Sequence, residues 1–270
     1  MNCELLIADS GSTKTDWAIG GQRITTQGIN PFHQSEDTIL AMLRDELLPQ
    51  LDVKKVGAVQ FYGSGVRTEL EPVMVRLLRQ CFGTTIPIEA HSDLLGAARA
   101  LCGNSEGIAC ILGTGSNSCL YDGKNIVKNT PPLGYILGDE GSGAVLGRRF
   151  LNALYKGRLA EIYVIGLEHY TQMTLPQIID RVYRQPLPNR WLASLSPFIH
   201  NLLADPFIET IVIENFRDFI RYNIMPYCRP ELPINAVGSI AFFYRPQLEQ
   251  AATSLGFTLG KIMRSPLDKC

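Results

Sequence analysis

One arrangement occurs twice in this chain, 104 residues apart. Each time a short apolar strand runs into a loop of glycine, serine and threonine. A second strand, a glycine turn and a third strand follow. The first copy opens with Leu5–Ala8, passes through Ser10-Gly11-Ser12-Thr13-Lys14-Thr15 and turns at Gly20-Gly21 between Asp16–Ile19 and Gln22–Thr26. The second opens with Gly107–Leu112, passes through Gly113-Thr114-Gly115-Ser116-Asn117-Ser118 and turns at Asp122-Gly123 between Cys119–Tyr121 and Asn125–Lys128. Gly11 falls on Gly115 and Ser12 on Ser116. Alternation and tight glycine turns mark antiparallel hairpins. Two copies exclude a solenoid. They predict two like-folded lobes, each offering one polar loop to a ligand held between them.

The first loop carries the chemistry. Asp9 ends the opening strand, and small, hydroxylated or cationic residues follow it. A turn of that composition points backbone N–H groups, hydroxyls and one ammonium into a small volume. Phosphate oxygens suit such a volume, with Asp9 available to hold a magnesium ion directly or through its waters. The Walker A pattern is not met, because Lys14 follows Thr13 rather than a glycine. Taken alone, the stretch reads equally well as a polar turn between two strands.

The remainder alternates strands with helices. Ser35 is placed to cap a helix through Leu48, and Glu69–Cys81 is amphipathic. Val56–Phe61 is a strand ending at Tyr62-Gly63-Ser64-Gly65. Ile86–Glu89 is another, leading to Ser92-Asp93 and an alanine- and leucine-rich helix over Leu94–Leu101. Gly138-Asp139-Glu140-Gly141-Ser142-Gly143 is an acid-and-glycine loop before a helix start. A helical region punctuated by prolines runs from Arg149 to about Tyr227. Leu232–Val237 is a strand ending at Gly238-Ser239-Ile240-Ala241, followed by a helix over Phe243–Leu255 and a short strand at Phe257–Gly260. Phe242, Phe243 and Tyr244 are expected in the core and the cleft wall. The loops at Gly11, Asp93, Gly115 and Gly238 all follow strands, where α/β sheets keep their ligands.

Several classes are excluded. The formal net charge is −1, so no basic surface advertises nucleic acid or a membrane. No apolar run is long enough to span a bilayer. The opening residues have no basic segment and read as a strand, not a secretion signal. Seven cysteines are scattered without Cys-x-x-Cys spacing, the pattern of reduced thiols in a cytoplasmic protein rather than of a zinc or iron–sulfur site.

Asp9 through Thr15 resembles the first phosphate motif of the sugar kinase, Hsp70 and actin superfamily. Gly113-Thr114-Gly115-Ser116-Asn117 resembles the second, and Val237-Gly238-Ser239-Ile240 the adenosine motif. Within that superfamily the chain is similar to the N-acetylglucosamine kinase branch, the BadF/BadG/BcrA/BcrD-type ATPases. The specific marks are Leu112–Asn117 and Gly134–Ser142, GYILGDEGS. The resemblance implies an α/β fold of two ribonuclease H-like lobes with a nucleotide cleft between them. The first lobe is expected over residues 1–103, and the second over 104–270 with a helical insertion at about 149–227.

The resemblance also implies roles. Asp9 anchors Mg²⁺. Gly11, Ser12, Thr13 and Lys14 cradle the ATP phosphates from one lobe, and Gly115, Ser116 and Asn117 from the other. Gly238 and Ser239 lie against the adenosine. Asp93 takes the proton from the attacking sugar hydroxyl, and it is equally placed to cap its own helix. Asn30, Thr114, Gly134 and Asp139 contact the sugar, Ser64 is a further candidate there, and Glu140 is supporting rather than catalytic. Where the animal kinases carry Gly-Trp-Gly before GDEGS, this chain has Pro132-Leu133-Gly134. Related chains run on into a closing helical segment, expected here to be short or absent. The implied reaction is phosphoryl transfer from ATP to a hydroxyl, the 6-hydroxyl by resemblance, of N-acetylglucosamine or a related amino sugar. No nucleic-acid or membrane partner is implied, and a homodimer is admitted. Other sugar acceptors, a partner-driving ATPase of the same family and a nucleotide-binding module without turnover stand as alternatives.

Overall fold

The computed structural model describes residues 4–11 and 13–269. They divide into two compact units. Residues up to Ala100 together with those from Pro266 onward form one, and Leu101–Ser265 the other. The last residues therefore group with the first unit, whereas the sequence reading places everything after residue 103 in the second.

The first unit is built on a sheet of order β3-β2-β1-β4-β5. Its strands are β1 (Glu4–Ser10), β2 (Lys14–Ile19), β3 (Gln22–Gln27), β4 (Val56–Gly63) and β5 (Ile88–Ser92). The first three form an antiparallel meander, and β4 and β5 continue from β1 in parallel. Helix α1 (Glu36–Met42) starts at Ser35, whose side chain accepts from the Thr38 N–H, as the cap position predicts. The chain continues helically through Leu47 with a wider turn. Helix α2 (Glu71–Phe82) and helix α3 (Asp93–Cys102) complete the unit. Leu6, Trp17, Phe61, Met74 and Leu77 are fully buried in its core.

The second unit repeats that plan. Its strands are β6 (Gly107–Leu112), β7 (Ser116–Tyr121), β8 (Ile126–Lys128), β9 (Ile234–Val237) and β10 (Leu259–Met263). The order is β10-β9-β6-β7-β8. Again three strands form an antiparallel meander, and two more join the first in parallel. This is the two-lobe ribonuclease H-like α/β fold.

Helices fill the space between β8 and β9: α4 (Gly134–Leu137), α5 (Gly143–Tyr155), α6 (Ile162–Thr171), α7 (Leu175–Tyr183), α8 (Pro188–Ala193), α9 (Ser196–His200) and α10 (Pro206–Phe219). After β9 the expected single helix is two, α11 (Ser239–Phe243) and α12 (Arg245–Ser254), broken at Tyr244. Of the three aromatics expected in the core and the cleft wall, Tyr244 is buried in the core, whereas Phe242 and Phe243 are nearly half exposed and lie outside it. Among the described residues no helix is long and apolar enough to cross a membrane. The five described cysteines are free, with Cys110 and Cys119 buried.

Candidate active site

In the first unit the sheet register aligns the ends of three parallel strands. Ser10 pairs with Gly63, and Gly63 with Ser92. The next residues, Gly11, Ser64 and Asp93, therefore leave the sheet side by side at its carboxyl edge. The Ser64 N–H donates to the Ser10 carbonyl at 2.8 Å, which fixes two of these exits together. The Ser64 hydroxyl is buried without a protein partner.

Asp93 begins α3. Its carboxylate accepts from the Leu94 N–H at 2.9 Å, and Ser92 Oγ accepts from the Leu95 N–H at 3.3 Å. The capping role is real, and one carboxylate oxygen serves it. Burial pushes the Asp93 carboxyl up to about 6, against the pull of the backbone N–H groups. Asp9 is pushed up to about 7, first by burial, then by the charges of Asp93 and Asp16, with Lys14 opposing. The charges of Asp93 and Asp16 crowd that of Asp9, and a cation beside Asp9 would relieve the crowding.

Ser10, the strand's last residue, is buried. Its hydroxyl meets Thr15 Oγ1 at 2.6 Å, donates to the Ile29 carbonyl and accepts from the Ile29 N–H. That lock holds the segment carrying Asn30 against the first loop. Asn30 lies against Gly65, where a Cβ would sit 2.1 Å from Asn30 Oδ1 and φ is +78°. Only glycine allows that approach.

The first loop itself is a tight turn, in which the Gly11 N–H donates to the Lys14 carbonyl at 3.0 Å. The Thr13 carbonyl accepts from the Gly28 N–H at 3.2 Å. Lys14 is the first residue of β2 rather than part of the loop, and its exposed ammonium sits 2.5 Å from the partly buried Asp16 carboxylate. Ser12 lies outside the described residues.

In the second unit, Gly113 donates to the Gly115 carbonyl at 3.0 Å, so the polar loop is again a tight turn. Ser116 and Asn117 belong to β7, and Ser116 is buried. The N-terminus of α5 is anchored to this loop. Gly143 N–H donates to the Gly113 carbonyl at 2.9 Å and Ala144 N–H to the Thr114 carbonyl at 3.2 Å, while Ser142 Oγ caps Val145 N–H. The free donors of the helix start are thereby consumed. They hold the loop and are not offered to an anion.

Asp139 is brought to the same place. Its carboxylate accepts from the Ser116 N–H, and burial raises its carboxyl to about 6 with Glu140 adding. It adopts φ +54°, and its N–H donates to the Pro132 carbonyl at 2.8 Å. Gly134 starts the exposed turn of α4 at the other end of this segment. Gly238 stands beside the loop, with φ +123°, and a Cβ there would lie 2.3 Å from the Leu112 carbonyl oxygen. Ser239 begins α11. Asn117 Oδ1 accepts from Asn129 Nδ2 at 2.9 Å, which turns its side chain to the neighbouring segment.

Two residues absent from the sequence reading hold the acidic loop. Asn215, fully buried on α10, accepts from the Gly141 N–H and donates to the Ser142 carbonyl, both at 3.2 Å. Asn223 donates to Glu140 at 3.2 Å. The signal for Asn215 in the sequence is an amide among Ile211, Val212, Phe216 and Phe219.

No family model matches the chain, and the search of the curated proteins found no match. Solved structures do match. A protein of Porphyromonas gingivalis described as a "putative N-acetylglucosamine kinase" is 48% identical, covers 97% of this chain and 95% of its own, and superposes with a TM-score of 0.95. A protein of the same description from Chromobacterium violaceum is 19% identical over 96% and 95%, with a TM-score of 0.73. The ROK hexokinase of Thermus thermophilus is 15% identical over 98% and 94%, with a TM-score of 0.57. These last two show the fold alone. Together with the motifs assembled above, the first shows that the chain belongs to the N-acetylglucosamine kinase branch of the BadF/BadG/BcrA/BcrD-type ATPase family.

Proposed function

We propose that this protein is an ATP-dependent carbohydrate kinase that phosphorylates N-acetylglucosamine, or a closely related amino sugar, on its 6-hydroxyl in the cytoplasm. The observation that carries the reading is the carboxyl edge of the first sheet. There Asp93, with a carboxyl raised to about 6, leaves the sheet beside Ser64, whose hydroxyl has no protein partner. A carboxylate that ionises just below neutral pH is matched to accepting a hydroxyl proton.

In this reading the sugar oxygen attacks the γ-phosphorus. Its proton passes to Asp93, the new O–P bond forms, and the bond to the β-phosphate oxygen breaks to release ADP. Positioning and charge neutralisation do most of the work in such a transfer. Gly11, Ser12 and Thr13, with Gly115 and Ser116, would hold the phosphates, and Lys14 would add its charge. Gly238 and Ser239 would take the adenosine. Asn30, Thr114, Gly134 and Asp139 would hold the sugar, where fixed amides and carboxylates match a ring of hydroxyls.

The acidic set at Asp9 fits a magnesium ion. Among the described residues no three ligands form a metal cage. Magnesium held through one carboxylate, water and phosphate oxygens needs none. Bound with ATP, it would neutralise charge on the β- and γ-phosphates.

A panel of sugars in an ADP-release assay, with the product assigned by phosphorus and carbon NMR, tests the reading. N-acetylglucosamine is expected to stimulate ADP release and to yield the 6-phosphate. ADP release that ignores every sugar would instead support a partner-driving ATPase.

A further inference from the structure

A second concave site lies wholly within the helical part of the second unit. It is a groove of about 450 Å³ beside α5 and α10. Ala153 and Ile211 give it an apolar floor. Arg148, Arg149 and Arg158 line it together. Three arginines on one groove add positive charge there that an anion would answer.

Their partners are unequal. Arg149 is paired with Asp218 at 2.5 Å. Glu214 also lines the groove, but it is engaged by Arg217 at 2.5 Å and Arg221 at 3.6 Å. Arg158 has no carboxylate within ion-pair distance among the described residues, and its guanidinium lies 5.2 Å from the centre of the Phe207 ring. Arg148 likewise has none. It donates to two backbone carbonyls, Tyr135 at 2.8 Å and Ile136 at 3.3 Å.

We propose that this groove binds a phosphate monoester, with the phosphate held by Arg148 and Arg158 and the organic body lying over Phe207 and Ile211. Guanidinium forks match phosphate oxygens in pairs, which a lone carboxylate ligand would use less fully. The volume exceeds what inorganic phosphate fills, and the aromatic and aliphatic surfaces accept a ring. Asn152 and Thr210 at the rim supply polar contacts for hydroxyls.

The site is connected to the acidic loop through Arg148. The carbonyls it holds belong to the turn of α4, which Gly134 opens and Asp139 follows. A phosphate that draws Arg148 away releases that turn. Binding at the groove and order in the turn are thereby linked, and the linkage is reciprocal.

Calorimetric titration of the full chain, with its nucleotide site filled by a non-hydrolysable ATP analogue and magnesium, tests binding without any turnover. Glucose 6-phosphate, AMP and inorganic phosphate are the probes. At least one monoester is expected to bind at a single site, more tightly than inorganic phosphate, and to weaken tenfold or more in Arg158→Ala and in Arg158→Glu. Both changes are at an exposed position, and a melting curve for each checks that it folds. No monoester binding, equal binding of inorganic phosphate, or unchanged affinity in both variants would overturn the site. Hydrogen exchange at Gly138 and Asp139, whose N–H groups close the turn, is expected to quicken severalfold with bound monoester. Unchanged exchange would overturn the linkage. The linkage reaches the proposed acceptor residues only through the kinase reading, but neither measurement depends on kinase activity, so the two can fail separately.

Discussion

The Asp139 carboxylate rests on Gly115: a Cβ at position 115 would stand 3.1 Å from Asp139 Oδ2. The same carboxylate accepts from the backbone of Ser116. The second polar loop and the acidic loop thus form one constellation, although 24 residues separate these two positions. Gly115→Ala must displace the carboxylate by a few tenths of an ångström while leaving the core untouched. We expect kcat/KM for the acceptor sugar to fall by about tenfold to a hundredfold, the scale of a misplaced contact. The melting temperature should hardly move. Steady-state kinetics beside a thermal melt reads both.

Asp93→Asn keeps a cap oxygen for Leu94 but cannot accept a proton. Turnover should drop by about 10² to 10⁴, as for loss of a general base, with ATP binding retained. In the unaltered enzyme, kcat/KM should rise with pH through about 6 as Asp93 loses its proton, then level off. A profile flat from pH 5 to 8 would remove Asp93 from the role of base.

Asp9 and Asp93 both hold protons more tightly when folded than when unfolded. Between pH 3.8 and about 7 the folded chain carries the extra protons. Unfolding free energy therefore falls as pH rises through that window. The stabilising contribution is complete on the acid side and gone above about 7. At about 1.4 kcal/mol per tenfold change in proton affinity the loss is of the order of a few kcal/mol. Through these two acids, metal-free protein should melt lower at pH 8 than at pH 5, and Asp9→Asn should raise the melting temperature at pH 8. A lower melting temperature for that variant at pH 8 would contradict the charge crowding.

Gly238 combines a left-handed backbone with contact against the Leu112 carbonyl. Gly238→Ala should cost about 2–3 kcal/mol from backbone strain and forced separation of the strand ends. Chemical denaturation measures it. The loss should fall on stability and on ATP affinity together.

Asn215→Leu fills similar space but leaves the Gly141 N–H and the Ser142 carbonyl unpaired in the interior. Each unpaired group costs about 1–3 kcal/mol. Asn215→Asp keeps the acceptor for Gly141 but sets a buried carboxylate against the Ser142 carbonyl, so it should destabilise as well. Acceptor KM should rise in both, since the acidic loop loses its brace.

Local pattern determined a large part of this protein. The two hairpins, the glycine turns, the caps at Ser35 and Asp93 and the acid-and-glycine loop follow from neighbours a few residues apart. Each rests on backbone chemistry that a short segment carries by itself. The strands ran longer than expected, with Lys14 and Ser116 already in register, because pairing with a partner strand extends a segment beyond its own propensity. What only the tertiary structure decided are the meetings of distant side chains. Asn215 reaches the acidic loop from 74 residues away, and Arg148 clasps the turn before it. Phe242 and Phe243 face outward because the helix break at Tyr244 turns that face away from the core. Such contacts depend on how α10 packs against α5 and how β9 enters beside β6, and periodicity along the chain holds no record of which helix faces which.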